Sequence, residues 1–252
     1  MAEKLEGWNP TCERFVAFLD IMGFRDRVFR ETHEDIGKML ESLRRRIESI
    51  EKQAKNILDD NKAGKFGNFT PSYVYPISFS DSIILFSNDN SIFSAGSILI
   101  NVAVILYEAI LAEIPIKGAI AYGEQTADLD KSIFFGKPLI DAFELQNELQ
   151  LYDVILHHTT EKQLLNLNQK ETKVVSIFST GVINRYQVPM KSGKIFHYML
   201  DWTGWSSEEN SLKLVTQLYN SVSGAPRLYV DNTLDYVRWI FARRVDIKQK
   251  DE

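Results

Sequence analysis

The stretch FVAFLDIMGF, residues 15–24, runs five apolar residues into a carboxylate, Asp20, and then into a glycine, Gly23. A short apolar run that stops at a turn residue reads as a buried strand, here 14–21. A lone negative charge at the end of such a strand has either a backbone to cap or a cation to hold. Working outward, a second isolated carboxylate appears some sixty residues on. SYVYPISF (72–79) and SIILF (82–86) flank Ser80-Asp81 closely, which reads as a strand hairpin with Asp81 at its tip.

The rest of the chain follows from the same patterning. Residues 24–62 are expected to form one long helical region. Its apolar positions Ile36, Met39, Leu40, Leu43, Ile47, Ile50, Ala54, Ile57 and Leu58 recur at helical spacing, and charges such as RRRIESIEKQ (44–53) make a solvated face. KAGKFGNFTP (62–71) is a glycine-rich loop. After the hairpin come an apolar helix near 92–112, a strand IKGAIAYG (116–123), a short strand at 133–136, a helix at 138–150 and a strand YDVILHH (152–158). The order strand–helix–hairpin–helix–strand is that of an α+β, ferredoxin-like βαββαβ core. Further strands, including KIFHYMLDW (194–202), and helices near 207–222 and 228–244 follow. With no internal repeat or low-complexity linker, a single domain over 1–252 is expected, its core at about 12–160 and its C-terminal extension at about 170–245.

Composition narrows the partners. The 252 residues are 44% hydrophobic, which suffices for one substantial core. A formal net charge of -5 offers no broad basic field, so neither nucleic acid nor an anionic membrane is an expected partner. One cysteine, Cys12, excludes an intrachain disulfide or a thiolate zinc site and fits a reducing cytoplasm. MAEKLEGWNP (1–10) lacks the apolar core of a signal peptide, so a cytoplasmic location is expected. The segment 91–113 is apolar enough to suggest a membrane span, but it carries three serines, Asn101 and Glu108, and a buried helix is expected instead.

In a ferredoxin-like sheet the first strand lies between or beside the hairpin strands, so Asp20 and Asp81 reach one edge. Two carboxylates close together repel. A hard divalent cation, Mg²⁺ or Mn²⁺, resolves that conflict through oxygen ligands. The turn at Gly23 lets backbone N–H groups face outward, where they can hold phosphate oxygens. The alternative is structural: Asp20 caps the long helix and Asp81 is a turn residue, both common roles.

These motifs resemble a known family. FVAFLDIMGF looks like the first metal motif of the class III nucleotide cyclases, the adenylate and guanylate cyclase family, and ISFSDSIILF (77–86) like their second. IKGAIAYGE (116–124) resembles the later strand that usually begins with an Arg, and FFGKPLIDAFELQNEL (134–149) the glycine-then-helix element that follows. The resemblance covers residues 15–150. It implies two metal ions per site, Mn²⁺ or Mg²⁺, held by Asp20, Asp81 and the Ile21 carbonyl. It places Gly23 and Phe24 in the loop over a nucleoside triphosphate, and Lys117 where the family has its phosphate-binding Arg. It also implies a head-to-tail homodimer with sites at the subunit interface, and intramolecular attack of the ribose 3′-hydroxyl on the α-phosphorus with pyrophosphate leaving.

The departures from the family pattern are informative. The polar pair that selects a purine falls on Ile77 and Ile133, and neither can hydrogen-bond a base edge. The family's transition-state Asn and Arg fall on Ile140 and Glu144. This combination is similar to the stand-alone pyrimidine cyclases of the bacterial antiphage system called Pycsar. That resemblance implies a cyclic UMP or cyclic CMP messenger acting on a separate effector protein. UTP is placed ahead of CTP, although no named residue decides between them. Ile77 and the aromatics Tyr73, Tyr75, Phe79 and Tyr122 are candidate base contacts.

Other readings remain: a purine cyclase, or an inactive cyclase-like shell that binds a nucleotide or scaffolds a partner. A diguanylate-type palm is disfavoured, since Phe79-Ser80-Asp81 replaces its Gly-Gly-acidic hairpin. His157-His158, adjacent on an expected strand, would point to opposite faces and make no metal site. DWTGW (201–205) reads as a packed corner beside the last helices, or else as a docking surface.

Overall fold

The computed structural model describes residues 8–62, 72–170, 181–222 and 224–251. The glycine-rich stretch beyond Lys62 lies outside the described residues, as do the side chains of Ile57 and Leu58. Strand β1 (Thr11–Ile21) leads through Gly23 into α1 (Phe24–Arg30) and α2 (His33–Lys62). The hairpin β2 (Val74–Phe79) and β3 (Ser82–Ser87) follows, then α3 (Ile92–Leu111) and β4 (Ile116–Asp128). Next come β5 (Ile133–Gly136), α4 (Lys137–Glu148), β6 (Val154–Leu156) and α5 (His158–Lys170). The chain closes with β7 (Ile183–Met190), β8 (Gly193–Leu200), α6 (Glu208–Gln217) and α7 (Arg227–Asp251).

The eight strands form one sheet in the order β2-β3-β1-β4-β6-β8-β7, with β5 beside the far end of β4. Its first four strands carry the expected split βαβ arrangement, with β1 antiparallel to β3 on one side and to β4 on the other. Parallel pairing of β4 with β6, and antiparallel pairing of β6 with β8, add the extension to the same sheet.

Alternation along β1 explains how both faces are covered. Phe15, Ala17, Leu19 and Ile21 enter the main core with α2 and α3, while Val16 and Phe18 enter the opposite face, where Phe18 packs with α4 residues. α3 is long and apolar enough to cross a membrane, yet eleven of its residues, from Ile92 to Ile110, are buried in this fold. It acts as the central core helix; truncating Leu99 or Ile105 to Ala there costs about 2–5 kcal/mol.

Three expectations need correction. The helical region 24–62 is two helices, because Glu31 is extended and Thr32 caps the second one. The Thr32 hydroxyl accepts from the Asp35 N–H (3.2 Å) and donates to the Asp35 carboxylate (2.7 Å), an N-cap in the ETHED segment. The strand expected over 152–158 is only Val154–Leu156, because His158 already begins α5. His157 and His158 therefore do not point to opposite faces; their rings lie 4.0 Å apart. The helix expected over 207–222 ends at Gln217 and tightens into a 3₁₀ turn. DWTGW is a packed corner in part: Trp202 is fully buried, Asp201 caps the turn, and Trp205 stays half exposed.

Candidate functional site

Asp20 lies one residue before the end of β1, on the face shared by Val16 and Phe18. Its cross-strand partners are Ser82 on β3 and Lys117 on β4, so all three belong to one face. Asp81 sits in the two-residue loop between β2 and β3, next to Ser82. The loop's first residue, Ser80, has φ +56°, the left-handed conformation usually filled by glycine there. The Asp81 carbonyl accepts the Ile21 N–H at 2.9 Å, which ties the hairpin tip to the end of β1. Asp20 caps no helix. The N-cap of α1 is Gly23, in left-handed conformation (φ 73°, ψ 10°) with open space around it.

The electrostatics follow from this placement. Burial, and next the charge of Asp81, push the Asp20 carboxyl up to about 6, while Lys117 pulls it down. Lys117 is itself buried, and burial lowers it to about 8 against the opposing influence of Asp20. Its ammonium donates to the Leu149 carbonyl at 3.4 Å and lies 5.6 Å from the centre of the Tyr229 ring. Lys191, in the turn between β7 and β8, and Glu148 also act on it. Sequence reasoning missed Lys191 and Tyr229. Both lie in the extension, far from Lys117 in sequence, and only the β4–β6–β8–β7 order brings them near.

The base-contact candidates divide by face. Phe79 is 83% exposed and pairs with Ser82, on the Asp20 side. Ile77 is half-buried on that side, packed with Val16, Phe86 and Ala127. Tyr122 is a correction: it stands five positions after Lys117, an odd offset, and so faces the main core on the opposite side. There its ring lies 5.0 Å from Phe15 and its hydroxyl meets Glu13 at 2.8 Å. Tyr73 is buried against Trp8 and Ala54, and Tyr75 also lies by Trp8; neither is near the strand ends that carry Asp20 and Asp81. Phe24 turns its side chain to the main core, leaving only its backbone to the Gly23 loop. Ile133 lies on β5, opposite Asp128. Ile140 and Glu144 are exposed on α4 and supply no positive charge.

Among the described residues, no three or more His, Cys, Asp or Glu side chains come together to hold a metal ion. Asp20 and Asp81 are a pair, and an ion there would complete its shell from backbone carbonyls, water and ligand oxygens. That suits Mg²⁺ or Mn²⁺ carrying a phosphate ligand better than an ion held in an all-protein cage.

No protein family model matches the sequence, and no curated protein matches it. Among solved structures, the chain is similar to a bacterial light-regulated adenylyl cyclase (12% identity, TM-score 0.48), covering 84% of this chain and 99% of that one. It is similar to the monomeric guanylyl cyclase domain of the RhoGC fusion protein from the aquatic fungus Blastocladiella emersonii (15% identity, TM-score 0.48), covering 75% and 94%. The adenylyl cyclase CyaB from P. aeruginosa matches at 15% identity and TM-score 0.44, covering 76% and 95%.

Proposed function

We propose that the protein is a nucleotide cyclase that converts a pyrimidine nucleoside triphosphate, UTP ahead of CTP, to a 3′,5′-cyclic nucleotide and pyrophosphate. The observation that carries this reading is the meeting of Asp20, Asp81 and Lys117 at one end of the sheet, with the Asp20 carboxyl pushed up to about 6 by burial and by Asp81. A half-buried carboxylate held beside a second one fits a hard divalent cation. Asp20, Asp81 and the Ile21 carbonyl would hold two such ions. When bound, they would supply Lewis-acid stabilisation of the entering and leaving oxygens.

The chain's own residues do the rest. The Gly23 turn presents backbone to the triphosphate without a side chain in the way. Lys117, as the ammonium, would supply positive charge near Asp20, where charge builds on departing pyrophosphate. Ile77 and Ile133 offer no hydrogen bond to a purine edge, so they do not reward a purine as a polar pair would. No protein nucleophile is needed. By the resemblance described above, the product is a messenger for a separate effector in antiphage defence, and two copies of the chain complete each site.

The second reading, a nucleotide-binding shell without turnover, draws on Ile140 and Glu144, which replace the family's transition-state donors. One experiment separates the two. The purified protein is incubated with Mn²⁺ and each of ATP, GTP, CTP and UTP, and products are identified by chromatography and mass. Cyclic UMP or cyclic CMP, lost in Asp20→Asn, is the expected result. Cyclic AMP or GMP would overturn the pyrimidine assignment. Binding without pyrophosphate release would favour the shell.

A further inference from the structure

The extension beyond β6 does more than lengthen the sheet, because its last helix returns to the strand end that carries Lys117. Tyr229, in the first turn of α7, sets its ring 5.6 Å from the Lys117 ammonium. The ring stacks on Tyr152 (centroids 5.6 Å apart, planes 26°), and Tyr152 is fully buried. Two hydrogen bonds hold this turn against the 149–152 segment, and a third, within α7, joins one of them to Tyr229. The Tyr152 N–H donates to the Thr233 hydroxyl at 2.9 Å, and that hydroxyl donates to the Tyr229 carbonyl at 2.6 Å. The Asn232 amide donates to the Gln150 carbonyl at 2.7 Å. The same segment supplies the Leu149 carbonyl that accepts from Lys117.

The patch also reaches the Gly23 turn. The buried Tyr152 hydroxyl has no hydrogen-bond partner among the described residues. Tyr152 lines a cavity of about 70 Å³ with Met22, Gly23, Val222 and Pro226. The two features assigned to the triphosphate, Lys117 and the Gly23 turn, thus both lie beside the Tyr152–Tyr229 stack that α7 completes.

We infer that Tyr229 is a positioning residue for Lys117, its ring face holding the ammonium at the strand end beside Asp20. An aromatic face attracts a cation and offers no competing hydrogen bond, so it fixes Lys117 without neutralising it. A phenyl ring does the same; an aliphatic side chain of similar size does not. The inference rests on the reading of Lys117 as the cation of the proposed cyclase site.

The test compares Tyr229→Phe, Tyr229→Leu and the unaltered full chain in two measurements. The first is the rate at which an amine-reactive reagent modifies Lys117, read by peptide mass spectrometry against exposed Lys38 as internal reference. Tyr229→Leu should raise Lys117 modification at least fivefold, with Tyr229→Phe unchanged. The second is steady-state cyclisation of the preferred nucleotide. Tyr229→Leu should lower kcat 10-fold or more with KM changed less than threefold, and Tyr229→Phe should stay within twofold. A merely structural role would lower the yield of folded protein and leave both ratios alone. Unchanged Lys117 modification in Tyr229→Leu overturns the inference whatever the activity, and so does raised modification with unaltered kcat. Should the unaltered chain turn over no nucleotide, the cyclase reading falls, and the modification rates alone decide whether Tyr229 holds Lys117.

Discussion

Asp20 and Lys117 are direct cross-strand partners, and each shifts the other's proton towards the charged state against the burial that opposes it. Such a pair is coupled: removing one member leaves the other charge without compensation. A double-mutant cycle of Asp20→Asn and Lys117→Met, by denaturant unfolding at pH 7 without metal, should give an interaction of about 1 kcal/mol. The value sits at the low end for neighbouring residues because Asp20 is partly open to solvent. The double variant is expected to be more stable than the two single effects added would make it. Strict additivity would mean that the two groups do not interact.

Metal and protons should compete at Asp20. The folded state raises this carboxyl from 3.8 to about 6, so the folded chain keeps a proton that the unfolded chain has lost between those values. Stability therefore falls as pH rises through that window, and the cost is fully present above it. Asp20→Asn removes the cost, so its Tm should exceed that of the unaltered chain by about 2–4 °C at pH 7.5 and match it at pH 4. Millimolar Mn²⁺ should raise the Tm of the unaltered chain at pH 7.5, less at pH 5, and leave Asp20→Asn unmoved. Equal stabilisation of both proteins by Mn²⁺ would place the ion elsewhere.

Much of this was legible in the chain because β1 ends in an apolar run closed by a glycine turn, and because the hairpin around Ser80-Asp81 leaves its strands no other register. Local signals of that kind survive folding. Tyr122 shows a signal that was present but unused: its odd offset from Lys117 fixes opposite faces once both lie on one strand. The Thr32 N-cap, bonded to Asp35, likewise marks the break between α1 and α2. Lys191, Tyr152 and Tyr229 carried no such mark. Their part in the site depends on sheet order and on where α7 docks, contacts of long sequence separation that no local pattern encodes. Gly118 is of the same kind. Within a strand it looks dispensable, yet an added Cβ would meet the Phe18 carbonyl and Leu19 Cδ2 at 2.5 Å.

Ser80 holds Asp81 in place with a backbone conformation that suits glycine, at φ +56°. A β-branched residue there costs about 1–2 kcal/mol, whereas glycine adopts it freely. Ser80→Val should lower Tm by about 2–6 °C and cut turnover more than 10-fold, because the strained loop shifts Asp81 away from Asp20. Ser80→Gly should keep Tm within about 2 °C and retain activity. A fully active Ser80→Val protein would show that the position of Asp81 is immaterial.

The last prediction concerns the second copy of the chain. Ile140 and Phe143 stand one turn apart on α4 and are 57% and 47% exposed; Phe143 meets Phe18 edge-on, on the face that carries Asp20. Phe79, 83% exposed, belongs to the same side of the sheet. Water-facing apolar groups gathered around a site of this kind are what a partner surface covers. Ile140 is the better probe, since Phe143 also packs within the chain. Ile140→Glu puts a charge where a dimer would bury it, and should weaken self-association at least 10-fold by light scattering and sedimentation while leaving the monomer's Tm unchanged. Activity per chain should then fall on dilution, at higher protein concentration for Ile140→Glu than for the unaltered chain. A protein that is monomeric and fully active at every concentration would mean that each chain completes its own site, with α4 left to another purpose.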